Sequence, residues 1–463
     1  MIKLHLYHTN DIHSHFEHWP QIIHYFKNQI KQCEHDSEPY LLFDLGDHMD
    51  RVHPLTEGTM GKGNVSLLNH AGYDFVTIGN NEGITFTRDN INKAYDVREF
   101  DVILANLFTG DGNRPKWCKP YAFHKINDIT IGITGITAPF KPFYEPLGWD
   151  IKDPGEVLPG IIEQVKKEAD IVILLSHGGL KFDQDTAKTI EGINVILGAH
   201  THHILEDGLN VNSTLICQTG KFGSYAGHVV LTYDENTKEI VDKKARVITM
   251  DDDIKGDPET ADLLESLTQK GIKQLQTPVT HLEQSLTTSW FNESPLSNLL
   301  ADALRQWCQA DIGMVNAGAI LDHLEAGLVT RADLHRICPH PINPCKVFLT
   351  GLEILEVIKK GLDPAFQELE LKGFGFRGKM IGKLIFSHLT YEVDKLGAAS
   401  VVNNVQINGD LIDLERTYQV ATIDMFTFGR LLPPIKEAEH KKFYLPEMLR
   451  DILAWKLKNN HRL

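Results

Sequence analysis

The sequence predicts a layered α/β protein with covered sheets, followed by a second domain that mixes helices and strands. Across the first half, continuous apolar runs alternate with amphipathic stretches, as buried strands do when helices separate them. The chain has 463 residues, more than one hydrophobic core usually holds, so two domains are expected. The pattern also changes after an acidic segment, DDDIKGDPET, that Gly256 and Pro258 interrupt.

Taken in order, the strands expected in the first domain (residues 1–250) are LHLYHTN, LLFDLGD, FVTIGN, VILAN, IGITGIT, IVILLSH and NVILGAH. QIIHYFKNQIKQC and EVLPGIIEQVKKEA read as helices between them. Residues 251–276 read as a linker and connecting helix, ADLLESLTQKGIKQLQ carrying the helical period. In the second domain (277–463), SPLSNLLADALRQWC reads as a helix and IGMVNAGAI as a strand entering a turn. LTGLEILEVIKKGL reads as a further helix.

Composition narrows the function. The net charge is -16, from 46 basic and 62 acidic residues. So acidic a surface disfavours nucleic acid polymers and anionic membranes. An anionic substrate would need local positive charge, which bound dications supply. No apolar stretch approaches the ~20 residues of a membrane helix. With no basic stretch or apolar h-region ahead of the first strand, a cytoplasmic, unexported protein is expected. The six cysteines form no C-x-x-C pair, and reduced, buried thiols fit that compartment.

Five short clusters carry metal-type side chains. They are Asp11 and His13 in HTNDIHSH, Asp47 in DLGDHMD, Asn80 in IGNNE, His177 in LLSHGG, and His200 and His202 in LGAHTHH. Alone, each has an ordinary explanation. Among 23 histidines an H-x-H arises by chance, and Gly46-Asp47 or Asn80 reads as a turn. Together they recur in order at the C-terminal ends of expected strands, where α/β sheets bind ligands. D-x-H and H-x-H each place two side chains on one side of an extended segment. A site for two metal ions needs such a set, with Asp47 as the shared carboxylate. Imidazole, carboxylate and amide donors suit Mn, Zn, Fe, Ni or Co.

The series D-x-H, G-D, G-N, S-H and G-x-H-T-H resembles the calcineurin-like metallophosphoesterases. NESPLSNLLADAL, NAGAI (316–320), the stretch from GLVTRADLHR to LEILEVI, and VATIDMFTFG (420–429) resemble the C-terminal domain of the 5′-nucleotidase group. The resemblance implies a four-layer αββα domain, an α+β substrate domain that closes over it, and attack by a metal-activated water. It implies one metal on Asp11, His13, His202 and Asp47, and a second on Asp47, Asn80, His177 and His200. A nucleotide or other small phosphorylated metabolite is the implied substrate. Oligomeric state is left open.

Several positions depart from the family pattern. Where it reads G-N-H-E-F-D, this chain has Gly79-Asn80-Asn81-Glu82-Gly83-Ile84. The His that acts near the leaving group is Asn81, and the Asp that orients it is Ile84. Asn81 can donate a hydrogen bond but no proton, and a lost acid commonly costs about 10²–10⁴-fold in rate. Good leaving groups, as in diphosphates, need that acid least. Of the flanking His15, His48 and His203, His48 is the expected stand-in. The pocket Arg that follows N-x-G-x-I is Leu321, so Arg377 or Arg430 is the candidate cation. Asn316 and Gly318 form the turn. Phe374, Phe376, Phe426 and Phe428 are candidates for stacking a base, worth about 1–3 kcal/mol, with FGF and FTF read as strand segments that could equally pack inward. The loop ends in FGRLLPP instead of the family's G-G-D-G-Y. These departures keep open a weakened metal- and nucleotide-binding protein, or a phosphodiesterase for cyclic or dinucleotide substrates.

Overall fold

Residues 171–177, IVILLSH, bury every side chain in both directions. Ile171, Ile173 and Leu175 face one core, while Val172 and Leu174 face another. A strand covered on both faces cannot alternate with polar residues, hence its unbroken apolar run.

The computed structural model describes residues 1–371, 373–396 and 399–459. The chain forms two compact units, 1–271 and 272–463. In the first, a seven-stranded mixed sheet centres on Ile2–Thr9, which pairs in parallel with Tyr40–Asp44. Phe75–Val76 and Asp101–Ile103 continue that parallel run. A six-stranded sheet holds Ile171–His177 between Ile129–Thr137 and Val195–Gly198, all parallel. Leu4, Leu6, Leu41 and Phe43 of the first sheet share one core with Ile131, Ile173 and Leu197 of the second. The sheets therefore face each other, and helices cover the outer faces. The helix Trp19–Asp36 buries Trp19, Ile22, Ile23 and Phe26, its i, i+3, i+4 and i+7 stripe. Pro154–Val165 buries Leu158, Ile162 and Val165 on the other side. The result is the expected αββα layering.

The helix Pro258–Leu275 lies mostly in the first unit. The second unit packs helices Pro295–Cys308, Gly351–Gly361 and Leu449–Asn459 around a five-stranded sheet that includes Ile312–Asn316, Pro344–Thr350 and Thr417–Ile423. FVTIGN is a strand only over Phe75–Val76. The chain then leaves the ladder and brings Gly79 against the Gly46–Asp47 turn.

Candidate metal centre

The parallel pairing of the first two strands continues into their loops. Asp11 N–H donates to Gly46 O at 3.1 Å, His13 N–H to Asp47 O at 2.7 Å and Ser14 N–H to His48 O at 3.0 Å. These bonds set the D-x-H loop against the G-D loop. Asp11, His13, Asp47, His200 and His202 all take positive φ, between 50° and 72°. Asp and His visit this region more readily than most side chains, yet such conformations cost energy and gather at functional sites. Gly46 has a φ of 86°, and a Cβ there would lie 2.1 Å from Gly79 N. A Cβ on Gly79 would lie 2.0 Å from Asp47 Oδ1. Neither position has room for a side chain, so both require glycine.

Asp11, His13 and His202 form one group, and Asp47, His177 and His200 another, each with its donor atoms within 4.8 Å of one another. Asp47 Oδ2 faces an imidazole of each group, 3.6 Å from His13 Nε2 and 3.4 Å from His177 Nε2. Asp11 Oδ1 lies 3.3 Å from His202 Nε2. His177 Nδ1 donates to Leu45 O at 2.7 Å, which leaves Nε2 as the donor toward a metal. Nε2 of His13, Nε2 of His177 and Oδ1 of Asn80 are buried without a hydrogen-bond partner among the described residues. Buried polar atoms left without a partner are costly, and a cation would satisfy them. The donor set therefore fits divalent metal.

The electrostatics agree. Burial would raise the Asp47 carboxyl, but His177 and His13 hold it well below its ordinary range. Burial would lower the His177 imidazole, but Asp47 and Asp11 hold it up at about 10. The pocket thus draws positive charge to its centre.

Glu82, Asn10 and Asp50 support this cluster, and sequence reasoning missed all three roles. Glu82 Oε2 accepts from Asp47 N and Gly79 N, both at 2.9 Å, and Oε1 from Met49 N at 2.8 Å. Its signal was available: Glu82 stands three residues after the helix cap Gly79, the capping-box spacing. Asn10 Nδ2 donates to Asp11 Oδ2 at 2.8 Å. Buried Asp50 places Oδ2 3.6 Å from His13 Nδ1.

Asn81 joins the site. Its N–H donates to Asp47 Oδ1 at 2.7 Å, and its amide nitrogen lies 3.0 Å from His13 Nδ1. The structure does not bring the His48 ring to the ligands. That ring is buried against Phe16 and Trp19, with Asn64 Nδ2 3.3 Å from Nδ1. Burial lowers its pKa to about 3, so it is neutral and unsuited to donating a proton. His15 packs on Phe222, 4.0 Å between ring centres. His203 turns back to Thr201 Oγ1 at 2.9 Å.

In the second unit, Asn316 and Gly318 form the turn after Ile312–Asn316. Asn316 Nδ2 donates to Ile381 O at 2.8 Å, and Gly318 N–H donates to the same oxygen at 3.0 Å. The four phenylalanines divide. Phe376 and Phe426 are core, 3% and 0% exposed, so neither can take a base. Phe374 and Phe428 stand nearly parallel, 6.0 Å apart at 7°. Strand alternation does not describe them, because Asp424–Thr427 is a 3-10 turn and Phe374 has a φ of 53°. Arg377 is half-buried, its N–H donating to His340 Nδ1 at 2.9 Å. Arg430 is exposed.

Comparison with known proteins follows the same division. Residues 4–203 match the calcineurin-like phosphoesterase family, and 272–430 match the 5′-nucleotidase C-terminal domain. The uncharacterized metallophosphoesterase YunD of Bacillus subtilis is 45% identical over 457 residues, 98% of this chain and 99% of that protein. Human 5′-nucleotidase is 22% identical, covering 73% of this chain and 68% of its own. A putative 5′-nucleotidase from Staphylococcus aureus, crystallised with alpha-ketoglutarate, shares the fold. Its TM-score is 0.68 at 18% identity, over 99% of this chain and 97% of the other.

Proposed function

The chain belongs to the metallophosphoesterases that pair a calcineurin-like phosphoesterase domain with a 5′-nucleotidase C-terminal domain, and from that premise we propose that it hydrolyses a nucleotide or related phosphorylated metabolite at a two-metal centre. The convergence of Asp11, His13 and His202 beside Asp47, His177 and His200 carries this reading. In it, Asp11, His13 and His202 would hold one divalent ion, Asn80, His177 and His200 would hold the other, and Asp47 would serve both. Mn, Zn, Fe, Ni and Co suit these donors. Bound, such ions lower the pKa of a water and offset charge on the phosphoryl group.

The chain's own groups do the rest. Asn81, fixed through its N–H to Asp47, offers a carboxamide donor to a phosphoryl oxygen. With neither His at 81 nor Asp at 84, the site supplies little acid to a leaving group, so it favours anhydrides and aryl phosphates over simple monoesters. Phe374 and Phe428 are the pair suited to a base, as the name of the human relative suggests. A cytoplasmic location is part of the proposal. The six cysteines are buried and unpaired, and no helix among the described residues is long and apolar enough to cross a membrane.

The test is a substrate panel on Mn²⁺-reconstituted protein: p-nitrophenyl phosphate, its bis ester, AMP, a nucleotide sugar and a dinucleotide. Hydrolysis is expected, with Asp47→Ala lowering it by at least about 10²-fold. Tight Mn²⁺ binding with no turnover on any member would defeat the reading. AMP cleaved faster than the nucleotide sugar would defeat the anhydride preference.

A further inference from the structure

Asp183, on the helix Leu180–Thr189, is fully buried and forms no ion pair with a Lys or Arg among the described residues. Burying a carboxylate without such a partner is costly, so its surroundings must compensate. Ser176 Oγ donates to Asp183 Oδ1, and Gln218 Nε2 donates to Oδ2 at 3.1 Å. The other end of the Gln218 amide accepts from His203 N–H at 3.3 Å and from Thr201 Oγ1 at 3.5 Å. A main-chain N–H can only donate. Gln218 must therefore turn its oxygen to His203 and its NH₂ to Asp183, and Asp183 must accept. Gly198 leaves room for this chain: a Cβ there would lie 2.4 Å from Asp183 Oδ2 and 2.9 Å from Gln218 Nε2.

The two ends of the chain are informative. Ser176 immediately precedes His177, and Thr201 lies between His200 and His202. The geometry points to Asp183 as a positioning residue for the metal centre: through Ser176 and Gln218 it holds the His177 strand end in register with the His200–His202 loop. Its removal would loosen ligands of both ions at once. This rests on the two-metal reading above.

The polarity of the chain supplies the test. Asp183→Asn keeps the size but turns one acceptor into a donor. Either Gln218 turns its oxygen to that donor, leaving NH₂ against His203 N–H, or Ser176 Oγ accepts from it and the Ser176 proton loses its buried acceptor. Adding Gln218→Glu restores an acceptor at each end without changing the charge of the pair. Mn²⁺ affinity is measured by chelator competition, alongside p-nitrophenyl phosphate turnover. Asp183→Asn is expected to weaken Mn²⁺ by about 10–100-fold, and the double variant to recover to within about threefold of wild type. Wild-type affinity in Asp183→Asn would overturn the inference, as would a double variant no better than the single. Should Asp183→Asn fail to fold, a double variant that folds and binds Mn²⁺ supports the assignment, and one that does neither ends it. A wild-type protein that binds no Mn²⁺ would instead count against the metal reading itself.

Discussion

Asn81 is tied twice to the metal cluster, through its N–H to Asp47 Oδ1 and through its amide beside His13 Nδ1. An imidazole that ligates through Nε2 carries its proton on Nδ1; the Asn81 NH₂ cannot accept that proton, and the Asp50 carboxylate 3.6 Å away is the acceptor it faces. Half-buried Ile84 leaves no acid to orient a ring at position 81. The double variant Asn81→His, Ile84→Asp should therefore gain about 10²-fold in kcat/KM on a simple monoester such as AMP. The single Asn81→His should gain much less, because its ring lacks an orienting partner. Steady-state rates on AMP and p-nitrophenyl phosphate decide it, and a double variant no faster than wild type on AMP refutes the assigned cause. At this scale the residues that converge as candidate ligands were legible because rare chemical types sit beside glycines at strand ends. Glu82, Asp50 and Asp183 were not, since each is one acid among 62 until folding shows which N–H groups it meets. His48 misled for the opposite reason. It adjoins Asp47 in sequence, but its ring turns into the aromatic packing of Phe16 and Trp19.

The 3-10 turn Asp424–Thr427 decides where Phe426 and Phe428 go, and reciprocal bonds anchor it. Asp424 N–H donates to Asn343 O at 3.0 Å, and Asn343 N–H to Asp424 Oδ2 at 3.1 Å. Asp424 Oδ1 is buried without a partner among the described residues, and burial raises this carboxyl to about 7 despite the Asn343 N–H. In the unfolded chain it titrates near its ordinary value of about 3.9. As pH rises from about 4 to about 7, the unfolded chain has released this proton while the native state keeps it, so the group's contribution to stability falls. Asp424→Asn removes that slope. Its urea midpoint relative to wild type should climb between pH 5 and pH 7 and level off above. A difference that stays constant with pH would contradict the assignment. The strand Thr417–Ile423 leading into this turn was marked in the sequence only where VATIDMFTFG resembles the family. The turn was not legible, because FTF alternates as a strand does while its backbone bonds curl it.

For the molecule as a whole, a charge of -16 and buried Asp11 and Asp47 beside the same imidazoles predict that a bound cation adds to stability. A ligand that binds only the native state stabilises it by about 2.7 kcal/mol at a hundredfold excess over Kd. Thermal melts should therefore shift upward with Mn²⁺ and back with EDTA, and less so in Asp47→Ala. A midpoint indifferent to both would weigh against metal as a structural partner. Periodicity in the sequence alone determined the layered α/β class, because a strand covered on both faces must be apolar throughout and a covering helix must carry a stripe. Residue type alone nominated the metal ligands, because few side chains suit a dication. Only the tertiary structure separated Phe374 and Phe428 from Phe376 and Phe426, turned His48 away from the ligands, and gave Glu82 and Asp183 their partners. Those outcomes depend on which segments, distant in sequence, pack together, and no local pattern records that.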